Sequence, residues 1–137
     1  SINRLLKNFG YLSHCFSCGW RDTGIEKVCP ECGKKTKIVG EIYLGPLKNR
    51  ELCERVGGML HGKENILIKR VSEELDVPYF YDIHKLCKIR KSTVRKKSDI
   101  IQELREMSYN VSLVHSNPTA IKTNAPFNEV VRVLKNK

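Results

Sequence analysis

The stretch from Cys15 to Gly33, CFSCGWRDTGIEKVCPECG, contains two Cys-x-x-Cys pairs and decides the fold of the first part of the chain. Ten residues separate Cys15 and Cys18 from Cys29 and Cys32. Two residues between cysteines let both thiolates reach one ion at about 2.3 Å with tetrahedral angles. A glycine follows each pair, where the chain has to turn sharply around a metal. The spacing predicts a zinc ribbon with these four cysteines as ligands.

Four thiolates leave no open coordination position, so the expected zinc is structural rather than catalytic. It would contribute on the order of 10 kcal/mol to the folding of such a small unit. The alternatives are two disulfides or a redox pair, although disulfide frameworks seldom place two such pairs beside glycines. An intact metal site implies a reducing compartment, and we expect a cytoplasmic protein. Cys53 and Cys87 lie on apolar helix faces, where we expect them to pack in the core.

Composition and charge narrow the class of protein. Of the 137 residues 40% are hydrophobic, which excludes a disordered tail. No apolar run approaches the ~20 residues of a membrane helix, no secretory signal is visible, and we expect no membrane partner. The chain begins at Ser1 rather than Met, which suggests a fragment or a processed chain. Its 25 basic and 15 acidic residues give a net charge of +10, which favours a polyanionic partner.

The Gly45-Pro46 dipeptide predicts a boundary between two units, residues 1–44 and residues 45–137. In the first unit, apolar residues from Ile2 to Phe9 recur at helical spacing, and Gly10 should end that helix. Two segments rich in β-branched or aromatic residues are predicted to be strands, Tyr11–Cys15 and Thr36–Leu44.

The second unit is predicted to be mostly helical, because its apolar residues recur at helical spacing. The predicted elements are helices over 52–60, 67–75, 83–87 and 100–107, strands over Val111–His115 and Thr119–Thr123, and a helix over 127–134. Ser98 is expected to cap the fourth helix. From residue 82 the order helix, helix, strand, turn, strand is typical of a winged helix. The predicted fold class is therefore α+β, with a four-cysteine zinc ribbon followed by a mostly helical winged-helix-like domain.

A basic stretch without acidic residues lies in the second unit and is predicted to bind nucleic acid. Its seven basic residues are Lys85, Lys88, Arg90, Lys91, Arg95, Lys96 and Lys97. Lysine and arginine beside the start of a helix bind phosphates well. The alternative is a solvated charged loop. In the ribbon, Lys34, Lys35 and Lys37 form a smaller basic patch. Phe16 and Trp20 either stack on an unpaired base or pack the ribbon core, and we expect core packing for Trp20.

No motif identifies a catalytic site. Neither the G-x-G-x-x-G nor the G-x-x-x-x-G-K-[ST] phosphate loop is present. An Asp-Pro-Pro-Tyr-like tetrapeptide, which would position an exocyclic amine for methyl transfer, is also missing. The sequence therefore predicts no catalytic residue in this chain.

Three segments together resemble the C-terminal part of the tRNA (guanine-26-N2)-dimethyltransferase family of archaea and eukaryotes. They are Tyr11–Gly19 at the entrance of the ribbon, Ile42–Leu47 at its exit, and His115–Pro126 in the winged region. The resemblance implies an enzyme whose N-terminal Rossmann-like domain binds S-adenosylmethionine and methylates N2 of a guanine in tRNA. It implies that this chain, which lacks that domain and is expected to be inactive alone, grips and orients the tRNA. On this interpretation Lys122 of the wing is available for a phosphate, although the wing could equally pack only on the missing domain.

Two other functions remain open. One is a zinc-ribbon and winged-helix DNA-binding transcription factor, because both folds recur in such proteins. The second winged helix, from Asp99 to Met107, carries three acidic residues against Arg105 alone, and its charge of −2 argues against insertion into a DNA groove. The other is a structural module that only contacts a protein domain, which predicts weak, salt-insensitive interaction with nucleic acid.

Overall fold

The structure is a computed structural model that describes residues 8–46, 50–59 and 62–135. The elements of this part of the chain are, in order, β1 (Phe9–His14), β2 (Arg21–Thr23), β3 (Lys37–Tyr43), α1 (Arg50–Gly57), α2 (Lys63–Glu73), β4 (Tyr81–Asp82), α3 (Ile83–Arg90), α4 (Lys97–Glu106), β5 (Val111–Val114), β6 (Asn117–Thr123) and α5 (Phe127–Lys135). Helices and small sheets both contribute, so the predicted α+β class is confirmed. No helix among these elements is long and apolar enough to cross a membrane.

The strands form two antiparallel sheets of three strands each. The first has the order β2-β1-β3 and carries the cysteines at its end. The second has the order β4-β6-β5, with α3 against β6 and α4 against β5 and α5. The predicted order of helix, helix, strand, turn and strand after residue 82 is present. The helices α1 and α2 pack on each other, and α2 also contacts β5.

One buried core joins the two sheets. Its largest fully buried side chains include Tyr81, Ile83, Ile100, Leu104, Ile121 and Val130. Cys15, Cys18, Trp20 and Cys29 belong to the same apolar cluster, so the first sheet and its cysteine turns, residues 8–46, pack on the helical part of the chain; this segment is called the ribbon below. Cys87 is fully buried and Trp20 is 6% exposed, which confirms the core positions predicted for both. Cys53, by contrast, is only half-buried on α1.

Some element boundaries differ from the sequence prediction. The sequence predicts that Phe9 and Gly10 end a helix, but they lie in β1, where Phe9 pairs with Tyr43 and the two rings meet edge to face at 5.6 Å. Residues 2–7 of that predicted helix lie outside the described residues. The helix α4 begins at Lys97 with Lys96 as its N-cap, so the cap predicted at Ser98 is wrong.

The helix predicted over 67–75 ends at Glu73, because Glu74 leaves it with extended backbone. The helix predicted over 52–60 ends at Gly57, and its last position lies outside the described residues. The strand β6 begins at Asn117 rather than Thr119, since Asn117 pairs with Val114 and proline is tolerated at the start of a strand.

Candidate functional site

The four cysteines of the two pairs meet at one point. The Sγ atoms of Cys15 and Cys32 lie 3.5 Å apart, and those of Cys18 and Cys29 lie 3.6 Å apart. All four sulfur atoms lie within 4.8 Å of one another. Tetrahedral coordination with Zn–S bonds of about 2.3 Å requires sulfur atoms about 3.8 Å apart. The donor set and its spacing therefore fit a single thiolate-bound zinc ion.

Each pair sits on a tight turn whose backbone is closed by hydrogen bonds. The Gly19 N–H donates to the Cys15 carbonyl over 2.9 Å, and the Gly33 N–H donates to the Cys29 carbonyl over 2.9 Å. Gly19 has a φ of 91° and Gly33 a φ of 75°, in the region that disfavours side chains with a Cβ atom. The two glycines thus let the chain reverse around the cysteines, as their positions in the sequence predict.

The thiols of the cluster differ in acidity. Burial raises the pKa of Cys18 to about 12. Burial also acts to raise the pKa of Cys15, but hydrogen bonds from the Cys18 backbone and the Cys32 thiol lower it to about 7. Cys15 is therefore the more readily ionised of these two groups, and a cation bound by the cluster would stabilise the thiolate form of all four.

Arg21 and Gly19 fix the ribbon on the helical part of the chain. Arg21 Nη1 donates to the Phe80 carbonyl over 2.7 Å, and its guanidinium lies 5.2 Å from the centre of the Tyr81 ring. A Cβ atom built on Gly19 would lie 2.5 Å from Cδ1 of Leu86 in α3, so the first cysteine turn is in close contact with that helix. The sequence did not predict the bond between Arg21 and Phe80, because no spacing or motif links the two residues.

The basic stretch occupies the end of α3, the loop after it and the start of α4. Lys91 has a φ of 53°, and its N–H donates to the Lys88 carbonyl, which ends α3 and turns the chain. Of the seven predicted residues, four are exposed, namely Lys85, Lys88, Lys91 and Lys96, and Arg90 is partly exposed without a bond to another of the described elements. These five residues are called the basic surface below. A cleft of about 460 Å³ borders it, between the 92–96 loop and the end of α5.

The other two residues of the stretch are held by the protein. Arg95 forms an ion pair with Glu103, with Nη1 2.7 Å from Oε2, and also donates to the Val133 carbonyl. Lys97 Nζ donates to the Pro118 carbonyl over 2.6 Å. Arg95 therefore fastens the loop to α4 and α5, and Lys97 fastens α4 to the start of β6.

Lys122, predicted to contact a phosphate, has a different environment. It is 6% exposed, and its Nζ lies 2.8 Å from Oε1 of Glu74. Ala120 to Thr123 are all buried, so in this part of β6 the side chains on both faces of the strand are covered. Lys122 is thus directed to a buried carboxylate rather than to solvent, and it is not part of the basic surface.

His14 is not drawn into the cysteine cluster. It lies in β1, and its ring stacks on that of Phe16 with 4.4 Å between ring centres. Its Nε2 lies 3.4 Å from Nη2 of Arg21. Burial and the charge of Arg21 lower the pKa of His14, which favours its neutral form. Phe16 itself is 66% exposed, so it does not pack in the ribbon core.

Comparisons with known proteins agree on one family. The model of the N2,N2-dimethylguanosine tRNA methyltransferase family matches residues 1–135. A tRNA (guanine(26)-N(2))-dimethyltransferase of Methanosarcina mazei is 35% identical over 145 residues, which cover 96% of this chain and 37% of the relative. The enzyme of the same description from Thermococcus kodakarensis is 40% identical over 103 residues, or 71% of this chain and 27% of the relative.

A solved structure has the same fold. It is that of Trm1 from Pyrococcus horikoshii in complex with S-adenosyl-L-methionine. The TM-score is 0.81 at 27% identity, and the match covers 98% of this chain and 37% of the other. The chain therefore spans little more than a third of the length of the proteins that it matches.

Proposed function

The chain belongs to the N2,N2-dimethylguanosine tRNA methyltransferase family, and we propose that it is the tRNA-binding C-terminal part of an S-adenosylmethionine-dependent tRNA (guanine-26-N2)-dimethyltransferase. On this proposal it grips and orients tRNA while another domain of the same polypeptide transfers the methyl groups. An enzyme that modifies a base in a folded RNA has to unstack it, at a cost of a few kcal/mol. Contacts with the surrounding backbone help to offset that cost.

The observation that carries the proposal is the basic surface. Lys85, Lys88, Lys91 and Lys96 are exposed, and no acidic residue occurs between Lys85 and Lys97. Lysine and arginine clustered on one face are the electrostatic footprint of a nucleic-acid-binding protein. The surface includes the start of α4, where the N-cap residue Lys96 is exposed and its side chain makes no capping hydrogen bond.

The DNA-binding alternative finds less support. We interpret the arrangement of α3, α4 and the β4-β6-β5 sheet as a winged helix, in which α4 would be the helix that enters a DNA groove. The charges on α4 are those of Lys97 and Arg105 against Asp99, Glu103 and Glu106, a net charge of −1. Asp99 and Glu106 are exposed, so they would face the phosphates that line the groove. A surface at the end of α3 suits RNA backbone contacts better.

We propose that Cys15, Cys18, Cys29 and Cys32 hold a structural zinc ion, which makes the first part of the chain a zinc ribbon. Four thiolates saturate the ion and leave no place for a substrate. The role of the metal is then to fix the two cysteine turns and, through Gly19, their contact with α3. We expect the protein to act in the cytoplasm, where thiols remain reduced.

The S-adenosylmethionine site belongs, on this proposal, to the part of the relatives that this chain does not cover. The described residues form two antiparallel sheets of three strands each. A Rossmann-like cofactor site lies at the carboxyl edge of a parallel sheet. The described residues do not fit that kind of site, and no catalytic step is assigned to them.

The test is binding of the zinc-loaded chain to folded tRNA and to duplex DNA of similar charge across a series of salt concentrations. We expect tighter binding to tRNA, with an affinity that falls as salt rises, because lysine–phosphate contacts release counterions. Equal binding to both would favour the DNA-binding alternative. Absence of binding to either would contradict the proposal and leave a module that contacts only protein.

A further inference from the structure

The ribbon sheet presents a row of three polar side chains on one face. In the register of the sheet, His14 of β1 lies opposite Arg21 of β2 on one side and Lys37 of β3 on the other. Residues directly opposite each other in antiparallel strands project from the same face. Arg21 is engaged with Phe80 and Tyr81, whereas Lys37 is exposed. The row therefore offers an imidazole in the centre and a lysine at one end.

The ring of Phe16 lies against this row. It is 66% exposed, the largest exposed fraction of any phenylalanine among the described residues, and it stacks on His14 with an angle of 38° between the ring planes. Phe16 belongs to the first cysteine turn, whose backbone is closed by the Cys15 N–H to Trp20 carbonyl bond of 2.7 Å. Its position is thus fixed on one side by the turn and on one face by His14, which leaves an aromatic surface open to solvent.

We propose that Phe16, supported by His14, is a stacking platform for an unpaired RNA base, and that Lys37 contacts the adjacent phosphate. This inference rests on the proposed function in one respect, namely that the partner is RNA. An aromatic face stacks on any base and needs no hydrogen-bond pattern, while a neighbouring cation follows the backbone. Together these two groups match the two parts of a nucleotide.

The occupant we favour is an unpaired nucleotide rather than a duplex. Within a duplex the base faces are stacked on each other and cannot reach a protruding ring, whereas loops and junctions of RNA expose them. An apolar protein partner would need a continuous patch of apolar side chains on the ribbon. An unpaired nucleotide needs only one aromatic ring with cations beside it. Lys34 and Lys35 are exposed on the same ribbon and extend the positive charge.

The stacking platform and the basic surface are joined through α3. The first cysteine turn contacts Leu86 of this helix, and the basic surface begins at Lys85 on the same helix. One folded RNA could therefore engage the backbone-binding surface and the stacking platform together. Binding of the RNA at the basic surface would raise the effective concentration of its unpaired bases near Phe16, so the two contacts together would bind more tightly than either alone.

The direct test uses Phe16→Trp. Trp20, the natural tryptophan, is 6% exposed, so it is shielded from a ligand in solution. A tryptophan at position 16 should lose fluorescence when an unstructured RNA of about ten nucleotides, within the usual site size, stacks on it. The wild-type chain, treated in the same way, supplies the background from Trp20. No additional quenching in the variant at saturating RNA would overturn the inference.

The second test compares substitutions that separate stacking from apolar contact. Phe16→Ala should weaken binding of the oligonucleotide by about tenfold, Phe16→Tyr should retain it, and Phe16→Leu should not restore it. Ile25→Ala is the matched control, because Ile25 is an aliphatic residue of the same ribbon and is 54% exposed. Retained zinc in each variant verifies that the ribbon is folded.

The outcomes distinguish the inference from the function on which it rests. Binding of tRNA by the wild type with equal affinity for Phe16→Ala would overturn the stacking platform and leave the proposed tRNA-binding function intact. If the wild type does not bind tRNA, the proposed function fails. Even if the wild type does not bind tRNA, quenching of the Phe16→Trp fluorescence by the oligonucleotide would establish the stacking platform. Absence of quenching would exclude the stacking platform.

Discussion

Glu74 and Lys122 form a buried ion pair that links the end of α2 to the central strand of the second sheet. Lys122 Nζ lies 2.8 Å from Glu74 Oε1, and Glu74 is 5% exposed. The other oxygen of Glu74 accepts the His115 N–H over 3.0 Å and lies 2.5 Å from His115 Nδ1. Burial acts to raise the pKa of Glu74, but these bonds lower it overall. The carboxylate therefore stays charged at neutral pH because its partners replace the water that it loses.

Removal of the lysine should be costly for stability but not for RNA binding. In Lys122→Met the Glu74 carboxylate stays buried without its cation, and loss of one partner of such a pair typically costs about 3–5 kcal/mol. We expect the free energy of unfolding, measured in urea, to decrease by about that amount. The double variant Glu74→Gln, Lys122→Met should recover part of it, since neither charge remains. Loss of tRNA affinity by folded Lys122→Met would instead return Lys122 to the RNA-binding residues.

The hydrogen-bonded carboxylate of Asp82 should stabilise the fold at neutral pH and lose this effect in acid. Burial acts to raise the pKa of Asp82, but hydrogen bonds from Asn117, the Lys85 N–H and Thr119 lower it below its usual value of 3.8. A lowered pKa means that the folded state favours the carboxylate, so the stabilisation is present above the unfolded pKa and is lost as pH falls through the folded pKa. We expect the free-energy difference between wild type and Asp82→Asn to shrink below pH about 4. A difference independent of pH would show that the charge of Asp82 is not involved.

Gly19 and Gly33 provide a matched pair for the contact between ribbon and helix. Both have positive φ, 91° and 75°, and alanine at such a position costs about 1–2 kcal/mol. Only at Gly19 would the new Cβ atom meet Leu86, whereas no atom lies within 4 Å of one at Gly33. Gly19→Ala should therefore lower the unfolding free energy by about 1–3 kcal/mol more than Gly33→Ala, the usual cost of overpacking. Equal losses in the zinc-loaded variants would mean that the first cysteine turn does not rest on α3.

Metal content tests the cysteine cluster. Cys29→Ser should lose zinc, measured as metal per chain by mass spectrometry, and with it a large part of the ~10 kcal/mol that such a site supplies. Because Cys15, Cys18 and Cys29 belong to the same buried cluster as Leu86, the thermal transition of the whole chain should shift down. Cys53→Ser is the control, since Cys53 lies on α1 and outside the cluster. Unchanged zinc content in Cys29→Ser would refute the ligand assignment.

The sequence predicted those features that arise from local spacing. Cys15 to Cys32 are close in the chain, so their pattern alone indicated one cluster, and helical periodicity located Ile83, Leu86 and Cys87 on the buried face of α3. Contacts between distant segments were not predictable. The bond from Arg21 to Phe80 spans 59 residues, and no periodicity encodes it.

Lys122 illustrates a second limit of sequence reasoning. A strand with one solvated face would have allowed Lys122 to be exposed, but Ala120 to Thr123 are all buried, so both faces of β6 are covered there. The partner that makes this burial possible, Glu74, is 48 residues away in the chain. A lysine in a strand could be assigned to solvent or to the core only after the elements that cover each face of the sheet were known.

The basic surface makes a quantitative prediction about salt. The triple variant Lys88→Ala, Lys91→Ala, Lys96→Ala removes exposed charges, and Lys97 is left intact because its Nζ is bonded to the Pro118 carbonyl. Each lost phosphate contact lowers the slope of log affinity against log salt by about 0.7–0.9, so the slope should decrease by about 2–3.

The control is Lys63→Ala, Lys69→Ala, Arg70→Ala, which removes the same net charge from exposed positions on α2. A general effect of net charge would weaken tRNA binding equally in both triple variants, because long-range attraction depends on total charge. A specific surface requires the slope to decrease in the first variant and to remain close to that of the wild type in the second. An unchanged slope in the first variant would move the tRNA-binding surface to another face of the chain, and the exposed lysines of the ribbon would then be the residues to replace next.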